Sequence, residues 1–456
     1  MSSTPHLQRR GRTESAHEEA QVAGLTHEGE GVVHGGKTAF IAGALPGERI
    51  RFRRVRRHRR HDEGELLELL EAAPERVAPR CPHFGVCGGC VLQHLAPAAQ
   101  LAAKEAELRD ALTRVAQAAP QRWLAPLAGP HWGYRRRARL GAKFVRRKDT
   151  VVVGFRERAA PYVAQLRSCE VLEPRAAALI TPLAAVLTSL SIRERVPQIE
   201  VAVADNATAL VLRILSPPTP QDEARLAAFA LAHGVTLYLQ PGGLDSVRAL
   251  GVASEALYYR LPRFDIELQF APTDFIQVNG AVNESLVERA AELLELNSAA
   301  RLLDLYCGLG NFSLPLARTA AQVTGIEGDS TLVERARSNA RLNGLSNAEF
   351  HVTDLAREPD PALPWMRGVY THVLLDPPRT GARAVLAALA RVAPQRLLYV
   401  SCHPGSLARD VGILVHEHGF ALAAAGVVDM FPHTAHVESL ALLSGASRAD
   451  APGART

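Results

Sequence analysis

From residue 274 onward, helical stripes alternate with short apolar runs, and this alternation constrains the fold more than any other feature of the chain. Val282, Leu286, Val287, Ala290 and Leu294 recur at helical spacing. An apolar run at 300–305 follows, then a Gly-rich turn and another helix. Further strands are predicted at 322–326, 349–352, 372–375, 397–400, 421–428 and 439–443. Apolar strands separated by helices are buried on both faces, as in an open, mostly parallel sheet. The predicted fold class is therefore α/β, with a doubly wound domain at 271–446.

The chain has 456 residues, too many for one hydrophobic core, so about two to three domains are expected. Residues 1–18 and 447–456 read as disordered tails. Between 19 and 73, short apolar runs alternate with Gly-rich turns, the pattern of an OB-type β-barrel. Residues 74–270 read as a β-rich central domain. It contains one helical stretch, 97–118, whose Leu101, Leu108, Leu112 and Val115 form an apolar face suited to packing on the C-terminal domain. No apolar run is long enough to span a bilayer, and the polar start is neither a signal peptide nor an anchor. A cytoplasmic protein without a membrane partner is expected, and a monomer. In such a protein the six Cys point to metal binding or catalysis rather than disulfides.

A net charge of +5 favours a polyanionic partner. Arg51, Arg53, Arg54, Arg56, Arg57, Arg59 and Arg60 crowd one predicted barrel strand, which reads as phosphate-binding. A second basic patch, Arg135, Arg136, Arg137 and Arg139, stands beside Trp132 and Tyr134. Those aromatics suit either stacking on unpaired bases or an ordinary core.

The chemistry-bearing residues gather at predicted strand ends. Leu397 to Val400 suit a buried strand, and Pro404 stops it. Cys402 thus falls at a carboxyl end, where open α/β sheets hold ligands. A buried, inert Cys is the plainer alternative. In the turn from Asp304 to Phe312, Gly308 and Gly310 allow close backbone approach to a ligand. Glu327 ends the next strand, where a carboxylate accepts from ribose hydroxyls. Ser313 replaces the third Gly of a dinucleotide loop, and Asp304 precedes the turn. Both favour S-adenosylmethionine over NAD, with Asp354 placed for the adenine. Asp376-Pro377-Pro378-Arg379 presents a rigid carboxylate. Amino-group methyltransferases carry an aromatic after this Asp-Pro-Pro, so Arg379 argues for another acceptor.

Over almost its whole length the chain resembles the bacterial RNA uracil carbon-5 methyltransferase family. The resemblance rests on the 304–312 loop, Phe275-Ile276-Gln277-Val278-Asn279, Asp376-Pro377-Pro378-Arg379, Ser401-Cys402-His403-Pro404 and His436-Val437-Glu438-Ser439. It implies a Rossmann-like S-adenosylmethionine-dependent methyltransferase domain preceded by a TRAM-type barrel. It also implies that Gln277, Tyr306, Asn311, Glu327, Asp354 and Asp376 surround S-adenosylmethionine. Tyr306 stands where many relatives carry Phe, and His403 where Asn is common.

The residues support the same chemistry directly. Carbon 5 of uracil is a poor nucleophile until a thiolate adds to carbon 6, and a soft, good leaving group such as the Cys402 thiolate suits that reversible addition. Glu438 is the candidate base that removes the carbon-5 proton afterwards; a surface carboxylate is its plainer reading. Cys307 is a competing thiol inside the cofactor loop. The fourth-strand motif carries no Cys, which disfavours cytosine.

Cys81, Cys87, Cys90 and Cys169 supply four further thiols, whose spacing fits either zinc or an iron–sulfur cluster. The resemblance implies a [4Fe-4S] cluster there. It also implies 23S ribosomal RNA as substrate, since the ribosomal branch carries both the barrel and the four Cys. A transfer-RNA uridine enzyme and a non-catalytic RNA-binding iron–sulfur assembly factor are the alternatives.

Overall fold

The computed structural model describes residues 17–251 and 255–445. The expected tails lie outside the described residues, apart from His17 and from Glu18, which already opens the first strand. The chain forms two compact units: one runs to Ala78 and includes Val91–Ala96, and the other comprises Pro79–Cys90 and everything from Pro97 onward.

The first unit is a closed barrel of β1 (Glu18–Leu25), β2 (Glu30–Val33), β3 (Ala39–Ala42), β4 (Arg49–Arg57) and β5 (Asp62–Glu71), in the order β1-β2-β3-β5-β4. Strand alternation points Ile50 and Phe52 inward, onto Val22, Val33 and Ile41. It points Arg49, Arg51 and Arg53 outward, while Arg54 shares the parity of Ile50 and Phe52, and the structure changes the meaning of these arginines. Arg49 pairs with Glu71 at 2.9 Å, Arg51 with Glu19 at 2.8 Å, Arg53 with Glu65 and Arg56 with Glu63. Arg54 is 12% exposed and bonds both Glu18 at 2.8 Å and Asp62 at 2.9 Å. Most of the phosphate-binding strand expected from sequence is thus a ladder of cross-strand ion pairs, because the acidic β1 and β5 flank β4. Among the described residues, only Arg57, Arg59 and Arg60 of the seven have no carboxylate partner.

In the second unit, a six-stranded sheet has the order β12-β11-β10-β9-β7-β8. Its strands are β7 (Arg137–Val145), β8 (Thr150–Gly154), β9 (Gln198–Val203), β10 (Thr208–Arg213), β11 (Val235–Gln240) and β12 (Arg248–Ala249). The helix Pro220–His233 that joins β10 to β11 shows why the chain turns here: Thr219 and Asp222 form a reciprocal cap, and Gly234 ends the helix at φ 60°. β13 (Leu257–Leu261) and β14 (Ile266–Phe270) make a hairpin that shares its core with the C-terminal sheet.

That sheet has the order β17-β16-β15-β18-β19-β21-β20-β6. β15 (Arg301–Leu305), β16 (Gln322–Glu327), β17 (Ala348–Val352), β18 (His372–Leu375) and β19 (Arg396–Ser401) are parallel. The chain leaves β15 toward β17 and returns to β18 on the other side, so a switch point opens between β15 and β18. β20 (Ala421–Val428) lies beyond β21 (Glu438–Ser444), which runs antiparallel between β19 and β20. β6 (Arg122–Trp123) closes the edge beside β20.

The helical stretch predicted at 97–118 is an α-helix, α1 (Pro97–Ala111), followed by a wider π-type turn at Leu112–Ala116. Leu108 and Leu112 are buried in the core of the C-terminal sheet, but Val115 is exposed and the rest of the buried stripe is Gln100 and Lys104. Polar groups hold those core positions because each has a partner there, described below.

Arg54→Gln is expected to lower the melting temperature of the barrel transition by roughly 3 °C or more, whereas Arg57→Gln melts as the parent does. Calorimetry of the full chain measures both. The Lys37 hydrogen bond, then Arg54, holds the Asp62 carboxyl down at about 2 against an ordinary 3.8. Its contribution is therefore present above about pH 4 and is lost as pH falls toward 2.

Candidate active site

Five parallel strands deliver their carboxyl ends to one edge of the sheet, and each has at or just past its end a residue singled out from sequence. Asp304 lies at the end of β15, fully buried, and accepts a hydrogen bond from the Ser313 hydroxyl. Its other oxygen, Oδ1, has no partner among the described residues. Burial pushes this carboxyl up to about 7, with Asp376 and Glu327 adding to the rise. Beyond it the chain turns left-handed at Tyr306 (φ 64°), Gly308 (φ 55°) and Gly310 (φ 98°). For Tyr306 that is a strained conformation of the kind that clusters at ligand sites.

Glu327, at the end of β16, braces this turn. Its carboxylate accepts from Gly308 N at 3.1 Å, Gly328 N at 2.7 Å and Asp329 N at 3.1 Å. Asn311 is committed within the protein: it exchanges paired amide bonds of 2.9 Å with Asn283 and accepts from the Tyr259 hydroxyl at 2.9 Å. Its side chain therefore anchors the loop. Gln277 is half-buried and has no hydrogen-bond partner among the described residues, so its amide is free for a ligand. Asp354 is exposed after β17 and caps the following turn through Ala356 N at 3.0 Å.

Asp376 follows β18, and burial raises its carboxyl to about 7. The loop beyond it is pinned by Asp410, which accepts from Ala382 N and from the Tyr399 hydroxyl, both at 2.7 Å. Cys402 follows β19. Its neighbour His403 accepts from Ser406 N at 3.0 Å and so caps the helix Pro404–His416. That is the capping role an Asn would fill, which accounts for the departure at this position.

Glu438 reaches the same place from the opposite direction. β21 is antiparallel to β19 with Ser439 opposite Ser401, so the first residue of β21 arrives beside the last residues of β19. Glu438 is 3% exposed, and burial, then Asp376, drives its carboxyl well above the usual range. The Cys402 thiol is pushed up to about 11 by burial and then by Glu438 and Asp376, while the Arg379 guanidinium opposes the rise. Arg379 also lies 3.2 Å from the His436 ring, whose basicity falls to about 4 through burial and that cation. The competing thiol, Cys307, is enclosed in the core and held well above its ordinary value. It packs under Gly325 and offers no open face to a substrate. A soft nucleophile, an opposing cation and a buried carboxyl that can hold or release a proton therefore stand together.

Of the four remaining thiols, Cys81, Cys87 and Cys169 act on one another electrostatically. The charge on Cys87 would be felt by Cys81 and Cys169, and Tyr134 lies within reach of Cys90 and Cys169. Gly89 N donates to Cys87 Sγ at 3.4 Å, and the amides of Val171 and Leu172 point to Cys169. Arg135 favours the ionised form of both. Four thiols with N–H donors and a cation are a donor set suited to a thiolate-bound metal centre. As placed, however, no three His, Cys, Asp or Glu side chains among the described residues converge in metal-holding geometry. Trp132 is half-buried against the same core as Cys90 and Cys169 and stacks on His433 at 3.8 Å between ring centres. It is therefore a core aromatic, as is Tyr134, whose hydroxyl donates to Pro432 O at 3.0 Å.

Residues 97–446 match the family described as tRNA (Uracil-5-)-methyltransferase. The chain belongs to that family. Three family members named 23S rRNA (uracil(1939)-C(5))-methyltransferase RlmD are close in sequence. That of Alkalilimnicola ehrlichii is 49% identical over 427 residues, 93% of this chain and 96% of the relative. That of Nitrosococcus oceani is 49% identical over 428 residues, 93% and 95% of the two chains. That of Xylella fastidiosa is 48% identical over 440 residues, 96% and 99% of the two. The solved Pyrococcus abyssi tRNA (uracil-54, C5)-methyltransferase, in complex with S-adenosyl-L-homocysteine, superposes with TM-score 0.74. It covers 93% of this chain and 100% of its own, at 24% identity, and so speaks for the family fold.

Alkylation of Cys402, followed peptide by peptide, is expected to climb about tenfold per pH unit from pH 7 to 10 without a plateau. Arg379→Leu removes the opposing cation and should slow it further at every pH. A plateau near pH 8 would contradict the high thiol value.

Proposed function

We propose that this protein methylates carbon 5 of a uridine in 23S ribosomal RNA, using S-adenosylmethionine and a covalent Cys402–uracil adduct. The observation that carries the reading is Glu438 brought beside Cys402 by the antiparallel β21. The ribosomal substrate is supported by the RlmD relatives at 48–49% identity over nearly the whole chain.

The unpartnered Asp304 Oδ1, the free Gln277 amide and the glycine turn fit the proposed cofactor. We assign Asp304 to its cationic end and Gln277, Tyr306, Glu327, Asp354 and Asp376 to its surroundings, with Asn311 holding the loop. Bound there, the cofactor supplies an electrophilic methyl group. Cys402 adds to carbon 6 of the uracil as thiolate, which makes carbon 5 nucleophilic toward that methyl. Glu438 then takes the carbon-5 proton, and the electron pair of that bond restores the ring double bond as the thiolate leaves. Arg379 favours the thiolate at both ends of this cycle.

Cys81, Cys87, Cys90 and Cys169 are proposed to hold a [4Fe-4S] cluster with a structural role, supported by the amides aimed at two of the sulfurs and by the cation beside them. The barrel at 19–73 is proposed to bind RNA, chiefly through Arg57, Arg59 and Arg60; the central 74–270 stretch and the 271–446 methyltransferase domain complete the division of labour. The protein is proposed to act as a cytoplasmic monomer.

Cys402→Ala should abolish methyl transfer while S-adenosylmethionine still binds. Glu438→Gln should stall as a labelled protein–RNA adduct that survives denaturing gels. Normal turnover by Glu438→Gln, or an adduct on Cys307, would overturn the assignment. Separately, protein purified without air should be brown and contain iron and sulfide, both lost in Cys87→Ser. Zinc without iron in the parent protein would refute the cluster.

A further inference from the structure

The segment 429–437, between β20 and β21, leads directly into Glu438, and side chains from outside the doubly wound strands hold it. Lys104 of α1 is 2% exposed, and its ammonium bonds Asp429 Oδ1 at 2.7 Å and Phe431 O at 3.0 Å. One turn earlier on the same face, Gln100 accepts from His433 N at 2.8 Å and meets His433 Nδ1 at 3.2 Å. His433 adopts a left-handed φ of 65°, a conformation that a histidine needs outside contacts to keep. Three residues on, His436 meets Arg379, and two residues further is Glu438. A buried cation on a helix face is costly unless its geometry is put to use.

We propose that Lys104 and Gln100 are positioning residues for the base: α1 clamps the 429–437 segment so that Glu438 meets the carbon-5 proton. The inference rests on the proposed role of Glu438. The clamp acts on the later step of the cycle, because Cys402 and the cofactor loop are held by β19 and β15, which these contacts do not touch. Displacing the carboxyl by a fraction of an ångström leaves methyl transfer in place and slows proton removal.

The test is a single-turnover reaction with labelled S-adenosylmethionine, resolved on denaturing gels, with Glu438→Gln as the reference for a stalled adduct. Lys104→Met and Gln100→Met should each accumulate the labelled adduct and release product roughly tenfold more slowly or worse. Lys104→Met leaves Asp429 buried without its cation, so its melting temperature should fall. The double variant Lys104→Met/Asp429→Asn should regain that stability yet still accumulate adduct, because the tether to Phe431 O is absent. Product release returning to the parent rate together with stability would make Lys104 a structural residue only and overturn the proposal. So would adduct from Glu438→Gln but none from Lys104→Met or Gln100→Met. If Glu438→Gln itself forms no adduct, the failure lies in the assignment of the base.

Discussion

The site depends on one constraint, the antiparallel register of β21 between β19 and β20. Parallel strands bring only their carboxyl ends to the ligand-binding edge. A strand of opposite direction brings its amino end there, and Ser439 opposite Ser401 places Glu438 beside Cys402. A slip of one residue would turn Glu438 to the other face of the sheet, away from the thiol. The pairing of Val428 with Glu438 on the other side fixes the same register a second time.

Burial then sets the chemistry. Asp304, Asp376 and Glu438 all leave water at one edge of the sheet, and each carboxyl rises as a result. Carboxyls in this range can hold a proton at neutral pH and release it to do work, which ordinary surface carboxylates cannot. A cation acting on Cys402 is Arg379, the residue that follows the rigid Asp-Pro-Pro turn. The same arginine depresses His436, so one guanidinium organises both the nucleophile and the entrance to the base. Cys307 shows the converse: in the turn after β15, enclosed by the core beside Asp304 and Glu327, its thiol is held well above its ordinary value.

Charge alone was a poor guide to the barrel. Arg51, Arg53, Arg54 and Arg56 spend their charge on the carboxylates of β1 and β5, and only the end of the hairpin keeps unpaired arginines among the described residues. The same lesson holds at Trp132 and Tyr134, whose position beside four arginines suited base stacking. Tyr134 is buried and Trp132 half-buried, and both engage the segment that leads to Glu438, Trp132 on His433 and Tyr134 through Pro432 O.

The sequence by itself determined the strand–helix alternation, the glycine turn after Asp304, the rigid Asp376 turn and the termination of β19 at Cys402. These are local properties: periodicity, proline and glycine act within a few residues of where they stand. It also named Glu438, although from sequence alone that carboxylate looked like a surface group at a strand start. The order of β19, β21 and β20, the burial of Glu438, the neutralised arginine ladder and the polar stripe of α1 were decided by tertiary structure. Gln100 and Lys104 sit at helical spacing with Leu108 and Leu112, a clue that the helix face was not purely apolar. Their partners, Asp429 and His433, lie more than 300 residues away in the chain, and no local rule relates residues that meet only after the sheet has closed.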